Sequence, residues 1–145
     1  MSVESMAEKV LVPVDGSEMM ERTVKYACDH VKMKGGTMTL LHVVALPISV
    51  DSTMRIDYTP LERAGEKILK SAREFAEEQG CKAATLMVTE YGNPGHAIAK
   101  IAGEKGFTLI VIHARGHSVV EKFFVRSVCD TVIHRSPVPV IVLQP

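Results

Sequence analysis

Short apolar runs rich in β-branched residues alternate with longer amphipathic patterns along almost the whole chain. Each run has the length of a buried strand, and in the segments between them apolar residues recur at helical spacing. Strands that alternate with helices are joined by right-handed crossovers, so this order predicts a parallel sheet with helices on both faces. A chain of 145 residues holds one such domain, 1–145. The predicted strands are Lys9–Asp15, Thr37–Val44, Ala83–Glu90, Phe107–His113 and Val138–Leu143.

Capping signals predict where the helices between these strands begin and end. Gly35 and Gly36 are expected to stop the first helix. Thr59 is expected to form a capping box with Glu62. The last helix is expected to start near Ser127 and to run to about residue 135, with Asp130 completing its cap. The predicted N-terminal caps are Ser17, Thr59, Asn93 and Ser127.

Charge and hydropathy exclude several classes of partner. Seventeen basic residues balance seventeen acidic ones, so no overall field attracts nucleic acid or an anionic membrane. No apolar run approaches the roughly 20 residues that a spanning helix needs. Residues 1–8 carry acids and lack an apolar core, so they are expected to be a frayed tail rather than a signal peptide.

Three cysteines, Cys28, Cys81 and Cys129, lie far apart and form no CxxC pair. An odd number at these spacings argues against a disulfide framework and for a reducing compartment. The expected location is therefore the cytoplasm. Their spacing relative to the histidines also matches no strong zinc pattern, so no metal site is predicted.

The predicted topology also indicates where a ligand would bind. In open parallel sheets, ligands lie outside the carboxyl ends of the strands, where the strand order reverses. Three loops meet there: the one at Asp15–Ser17, the one from Val43 onward, and the one at His113–Ser127. The long connection at 45–58 lacks a clear period, and it could be either a cover over the site or a disordered surface loop.

Four stretches together resemble the universal stress protein family. They are "VLVPVDGSE", "LLHVV", "YGNPGHAIAKIA" and "HARGHSVVEKFFVRSV…SPVPVIVL", and the similarity runs from about Lys9 to Leu143. The resemblance implies a three-layer α/β sandwich around a five-stranded parallel sheet in the order 3-2-1-4-5. It also implies a cytoplasmic homodimer that pairs through the last strand, Val138–Leu143.

The resemblance further implies a nucleotide site, because many members bind ATP or AMP through a Gly-x2-Gly-x9-Gly-Ser/Thr motif after strand four. The first-strand aspartate and nearby backbone groups hold the adenine and the ribose in those proteins. Here His113 and Arg126 stand where the first and third glycines of the motif would be. The residues carried over are Pro13, Val14, Asp15, Val43, His113, Gly116, Arg126 and Ser127, with Arg115 beside them.

The altered motif leaves two interpretations open. In one, Asp15 attracts Arg115 or Arg126, His113 fills the ribose space, and no nucleotide fits. In the other, the helix start at Ser127 and the guanidinium of Arg126 still hold an anion.

These interpretations give three functional hypotheses. The first is a non-catalytic homodimeric regulatory module that binds a small anion or nucleotide weakly, with an unidentified protein partner left open. The second is an ATP- or AMP-binding protein with slow ATPase or autophosphorylation activity, which would need Mg²⁺ only if ATP binds. The third is a structural dimer with a plugged pocket. No catalytic residue is predicted, because no Gly-x-Ser-x-Gly turn occurs and pairing Ser17 with a histidine would rest on residue type alone.

Overall fold

The computed structural model describes residues 7–47, 56–114 and 121–145, with side chains at all of these positions except 121–127. Strands and helices alternate throughout the described ranges. Within these ranges, no helix combines the length and the apolar character that crossing a membrane requires. The elements are β1 (Glu8–Pro13), α1 (Met20–Lys34), β2 (Gly36–Leu46), α2 (Thr59–Glu78), β3 (Ala83–Tyr91), α3 (Pro94–Glu104), β4 (Leu109–His113), α4 (Glu121–Arg135) and β5 (Val140–Leu143).

The five strands form one parallel sheet in the order β3-β2-β1-β4-β5, which confirms the predicted order. Both faces of the central strand β1 are buried, and Val10, Leu11 and Val12 have no exposed surface. Val10 and Val12 pack with residues of α1 and α2, whereas Leu11 packs with residues of α3 and α4. The three-layer arrangement follows from this alternation, since successive side chains of a strand point to opposite faces.

The helix starts agree with the sequence only in part. Asn93 caps α3 as predicted, with its side-chain oxygen accepting from the backbone N–H of Gly95 at 2.8 Å. The other two described caps were predicted wrongly, because α1 follows Met19 and α2 follows Tyr58, neither of which donates or accepts a side-chain cap bond. In both loops, an aspartate two residues before the predicted cap accepts a backbone hydrogen bond from that residue. Asp15 accepts from the N–H of Ser17 at 3.0 Å, and Asp57 accepts from the N–H of Thr59 at 2.9 Å.

The last helix begins earlier than the sequence predicted. Because α4 starts at Glu121, Arg126 and Ser127 lie inside the helix, roughly one and a half turns past its start. Arginine propagates a helix almost as well as alanine does, whereas a glycine at residue 126 would weaken it by about 1 kcal/mol. An arginine at residue 126 is therefore compatible with a helix that runs through this position. Ser127 is not its cap, and the predicted pairing with Asp130 is wrong.

A disulfide joins Cys28 in α1 to Cys81, just before β3, with their Cα atoms 5.9 Å apart. The expectation that no cysteines pair was therefore wrong. The helices α1 and α2 pack on the same face of the sheet, and this brings together two residues that are 53 positions apart in the chain. Cys129 is buried and unpaired.

Candidate functional site

A cavity of about 840 Å³ opens at the carboxyl edge of the sheet. Five of the nine candidate residues line it: Pro13 at the end of β1, Val14 and Asp15 just after it, Val43 in β2, and His113 at the end of β4. These strands come together because β1 lies between β2 and β4 in the sheet. The structure therefore brings three of the predicted strand ends to one place.

The remaining candidates are not described as members of the cavity. Arg115 and Gly116 lie outside the described residues. Arg126 and Ser127 belong to α4, and their side chains are outside the described part. Since both residues lie within the helix, the hypothesis that a helix start at Ser127 attracts an anion loses its geometric basis.

The cavity also extends to a side that the sequence analysis missed. Gly92, Asn93 and Pro94 at the start of α3 line it, together with Val128 and Cys129 of α4. The signal was available, because the rule that ligands lie at strand ends applies to β3 as well. In the sheet, β3 is an edge strand that is separated from β4 by β2 and β1.

The polar groups of this mostly apolar cavity are concentrated near its β1 and β2 wall. His42 Nδ1 lies 2.9 Å from the Val14 carbonyl oxygen. Because a carbonyl can only accept, Nδ1 carries the hydrogen and donates it. The N–H of Val14 donates to the Leu41 carbonyl at 2.8 Å. Both backbone groups of Val14 are therefore tied to β2. The apolar lining includes Leu41, Leu46, Ile98, Ile112 and Val128.

Val43 presents its backbone toward the cavity. The pairing of β1 with β2 ends at Pro13 and Leu41. The Leu41 carbonyl points to the β1 side, and backbone groups two residues further along a strand point the same way. The N–H and C=O of Val43 therefore lie beyond the last strand pair, facing the space above the end of β1.

His113 is buried at the base of the site, with 5% of its surface exposed, and it has hydroxyl groups at both ring nitrogens. Nδ1 lies 3.4 Å from Thr23 Oγ1, whose own hydrogen is donated to the Met19 carbonyl at 2.8 Å. The Thr23 oxygen can then only accept, so Nδ1 of His113 carries a hydrogen. On the other side, Nε2 lies 3.1 Å from Ser17 Oγ. A pairing that residue type alone did not justify is thus present in the fold.

Asp15 completes this cluster from the β1–α1 loop. Its Oδ2 lies 3.4 Å from His113 Nε2, and its Oδ1 accepts from the Ser17 N–H. Burial acts to raise the pKa of the Asp15 carboxyl. The hydrogen bonds from His113 and Ser17, and the charge of His113 when protonated, outweigh burial and hold that pKa well below its usual range. Among the described residues, Ser17 and His113 lie against Asp15. The hypothesis that Arg115 or Arg126 pairs with Asp15 concerns side chains outside the described part and stays a prediction.

This shift predicts how the fold responds to acid. A carboxyl with a lowered pKa in the folded state contributes stability above its unfolded pKa, and that stability is lost as the pH falls below about 4. We expect the free energy of unfolding of the wild-type chain to fall faster than that of Asp15→Asn between about pH 4 and pH 2. Urea titrations at fixed pH values measure this. Asp57, whose pKa is also lowered, is present in both proteins and cancels. Parallel losses in the two proteins would contradict the assignment.

Two further expectations concern metals and thiols. Among the described residues, no three histidine, cysteine or acidic side chains lie close enough together to hold a metal ion. Burial, and to a smaller extent Asp130, raises the pKa of the Cys129 thiol. A thiol with a raised pKa is a poor nucleophile, so Cys129 is part of the cavity wall rather than a reactive group.

Comparisons with known proteins all point to one family. A profile described as the universal stress protein family matches residues 6–144. The universal stress protein YxiE of Bacillus subtilis is 32% identical over 150 residues, covering 96% of this chain and all of that protein.

Solved structures show the same fold. A universal stress protein from Archaeoglobus fulgidus in complex with dAMP aligns with a TM-score of 0.70 and 23% identity, covering 94% of this chain and 98% of that one. A universal stress protein in complex with cAMP aligns with a TM-score of 0.71 and 20% identity, covering 96% and 98%.

Proposed function

Because the chain belongs to the universal stress protein family, we propose that it is a homodimeric regulatory module that binds a ligand of the adenine class and does not turn nucleotides over. The observation that carries the proposal is the cavity of about 840 Å³ at the ends of β1, β2 and β4. Ligand sites of this size are mostly apolar, with few polar groups that set orientation. The complexes of two structural neighbours with dAMP and cAMP support the ligand class.

The part of the cavity near Val43 suits a flat base. Its lining includes the apolar side chains of Val43, Ala45 and Pro47, which are at least partly exposed and offer surface for the faces of a purine ring. The backbone N–H and C=O of Val43 face the same space and offer one donor and one acceptor to the edge of a base. A purine needs both kinds of contact, so this half of the site carries the proposed binding.

The sugar and phosphate half of the site offers less. Both carboxylate oxygens of Asp15 already have partners, in Ser17 and His113, so a ribose would have to displace them. His113 stands where the first glycine of the related motif would allow a close backbone approach. We therefore propose that the base supplies most of the affinity and that the phosphates add little.

The residues that line the cavity also argue against hydrolysis of a bound nucleotide. Hydrolysis of a triphosphate needs carboxylates or hydroxyls that hold Mg²⁺ and a group that positions water. Asp15 is the one carboxylate among the described residues that line the cavity. Mg²⁺ would enter only with ATP, as the companion of its phosphates.

The proposed dimer forms through the last strand. In the described sheet, β5 is an edge strand that pairs with β4 alone. Its four residues, Val140–Leu143, are all apolar and only half-buried. An apolar edge with unpaired backbone groups favours association with another strand.

We also propose the cytoplasm as the location, although the Cys28–Cys81 bond counts against it because cytosolic disulfides are rare.

Thermal shift and calorimetric titration with adenine, adenosine, AMP, ATP and inorganic phosphate test the proposed ligand. At about 100 times Kd, binding adds about 2.7 kcal/mol of stability, which raises the Tm by roughly 5–10 °C. We expect similar affinities for adenosine and AMP, and no shift with phosphate alone. If adenine and adenosine at such concentrations do not raise the Tm of the wild-type chain, that result would favour the plugged pocket.

The variant His113→Gly separates the two halves of the site. Removing the imidazole takes away the ring beside Asp15 Oδ2 and opens the backbone, so we expect AMP to bind about tenfold more tightly, the equivalent of about 1.4 kcal/mol. Adenine affinity should change little. The matched control is His96→Gly, which removes an exposed histidine in the first turn of α3. Equal AMP affinity in His113→Gly and the wild type would contradict the assigned role of His113.

A further inference from the structure

We propose that Ser17 is a reactive nucleophile, with His113 as its general base, and that it accepts the acyl group of carboxylic esters whose apolar part lies in the cavity. The proposal is independent of adenine binding. It concerns hydroxyl and imidazole groups that the proposed nucleotide-class ligand does not need.

The distance between nucleophile and base is suitable for proton transfer. Ser17 Oγ lies 3.1 Å from His113 Nε2, within the range in which a base can remove the hydroxyl proton. The two residues are 96 positions apart in the chain, so the contact is made by the fold and not by local sequence. Ser17 is half-buried, and its contact with His113 is partly buried as well.

A third residue holds the imidazole in the form that a base requires. Thr23 is completely buried in α1, and its hydroxyl donates to the Met19 carbonyl at 2.8 Å. Its oxygen is therefore an acceptor for Nδ1–H of His113 at 3.4 Å. With a hydrogen on Nδ1, the neutral form of His113 has its lone pair on Nε2, facing Ser17. The hydrogen bond from Nε2 to Asp15 belongs to the protonated form of the ring alone. A base oriented by a third group is the arrangement that activates serine nucleophiles.

The loop around Ser17 holds the nucleophile in place. Asp15 Oδ1 accepts from the Ser17 N–H at 3.0 Å. Gly16 adopts φ +76°, and a Cβ there would approach Ile68 Cγ1 to 3.0 Å. The serine therefore lies on a tight turn between a strand and a helix. Turns of this kind present the nucleophilic serine in α/β-hydrolases, although the sequence around Ser17 is different.

Asp15 gives the base a way to hold the proton that it receives. Once Nε2 is protonated, the ring is an imidazolium 3.4 Å from Asp15 Oδ2. A carboxylate at this distance stabilises the charged ring without becoming protonated itself. The cluster thus contains a nucleophile, a base, a residue that orients the base and a counter-charge.

The reaction balances with an ester and water as reactants. Ser17 Oγ forms a bond to the ester carbonyl carbon while its proton moves to His113 Nε2. The intermediate then loses the alcohol oxygen, which takes that proton and leaves as the alcohol. Water, deprotonated by His113, releases the acid from acyl-Ser17, and the serine oxygen regains a proton. The net change is ester plus water to acid plus alcohol.

The shape of the site indicates the substrate class. His113 and Asp15 belong both to the cluster and to the cavity lining, so a group attached at Ser17 lies beside the apolar space. That space is bounded on the far side by Ile98 and Val128. Esters with an apolar chain fit this arrangement better than charged ones.

Covalent labelling tests the nucleophile directly. We expect a fluorophosphonate probe to add one group to the wild-type chain, and mass spectrometry of peptides should place it on Ser17. Ser17→Ala should abolish the label. Ser71→Ala, which removes an exposed serine in the middle of α2, should leave it unchanged. A wild-type chain that is not labelled, or a Ser17→Ala chain labelled at the wild-type rate, would overturn the proposal.

Ester hydrolysis tests the base and the residue that orients it. With p-nitrophenyl butyrate, His113→Asn should lower the rate at least about 100-fold. Thr23→Val should lower it about tenfold and change the pH profile, and Thr23→Ser should restore both, because it keeps the hydroxyl. Circular dichroism melts establish that each variant is folded. If His113→Asn is folded and hydrolyses the ester at the wild-type rate, His113 is not the base.

Discussion

Reduction of the Cys28–Cys81 disulfide is expected to lower the free energy of unfolding by about 4 kcal/mol. The bond closes a loop of 53 residues, and a cross-link of this length restricts the unfolded chain strongly. For a domain of this size, such a loss corresponds to a decrease in Tm of roughly 10–15 °C. Thermal melts with and without a phosphine reductant measure it.

Two variants make this experiment specific. The double variant Cys28→Ala/Cys81→Ala should melt at the same temperature with and without reductant. Cys129→Ala removes the buried cysteine that has no partner, and it should keep the full response of the wild type. If both thiols can be alkylated after reduction and the Tm is unchanged, the bond contributes no stability.

The position of the bond connects it to the ligand site through α2. Cys81 follows the C-terminal end of α2, whereas Gly65 near its other end packs against β2. A Cβ at Gly65 would lie 2.6 Å from His42 Cδ2, so helix and strand are in close contact there. His42 in turn binds the Val14 carbonyl at the cavity. Reducing the disulfide at one end of α2 would therefore loosen the contact between α2 and His42 at the wall of the site.

The strands were predictable because they depend on properties that the sequence displays locally, whereas their order in the sheet was predicted from the resemblance to the universal stress proteins. Buried parallel strands are continuous apolar runs, and alternation with helices restricts the topology to very few choices. The positions of the strand ends indicated Asp15, Val43 and His113 as cavity residues, whereas Pro13 and Val14 were carried over from the resemblance. Neither line of reasoning identified the α3 side of the cavity, which depends on where β3 lies in the sheet.

Features that depend on competition or on distant contacts were not predictable. Ser17 and Thr59 are good caps by residue type, but Asp15 and Asp57 two positions earlier accept the N–H groups instead. The start of α4 at Glu121 was missed because the prediction took the motif position at Ser127 as the beginning of the helix. The disulfide and the contact between Ser17 and His113 join residues 53 and 96 positions apart, for which one sequence contains no signal.

The second large effect concerns the two glycines that the sequence predicted only as a helix stop. We expect Gly36→Ala to destabilise the fold by about 4 kcal/mol, from backbone strain and a steric clash together. Gly36 adopts φ +134°, and a Cβ there would lie 2.0 Å from the Glu8 carbonyl oxygen. Glu8 and Gly36 are the first paired residues of β1 and β2, so the clash can be relieved only by separating two central strands.

Gly35→Ala is the matched control, because Gly35 shares the positive φ of Gly36 but not its steric contact. It also has a positive φ, +76°, but a Cβ there would meet no atom within 4 Å. Its replacement should cost only the strain of a backbone conformation that glycine adopts easily, about 1–3 kcal/mol. Urea unfolding of the two variants measures the difference. Equal losses would mean that the approach of β1 to β2 at Gly36 is not close enough to require glycine, and that both residues serve only to end α1.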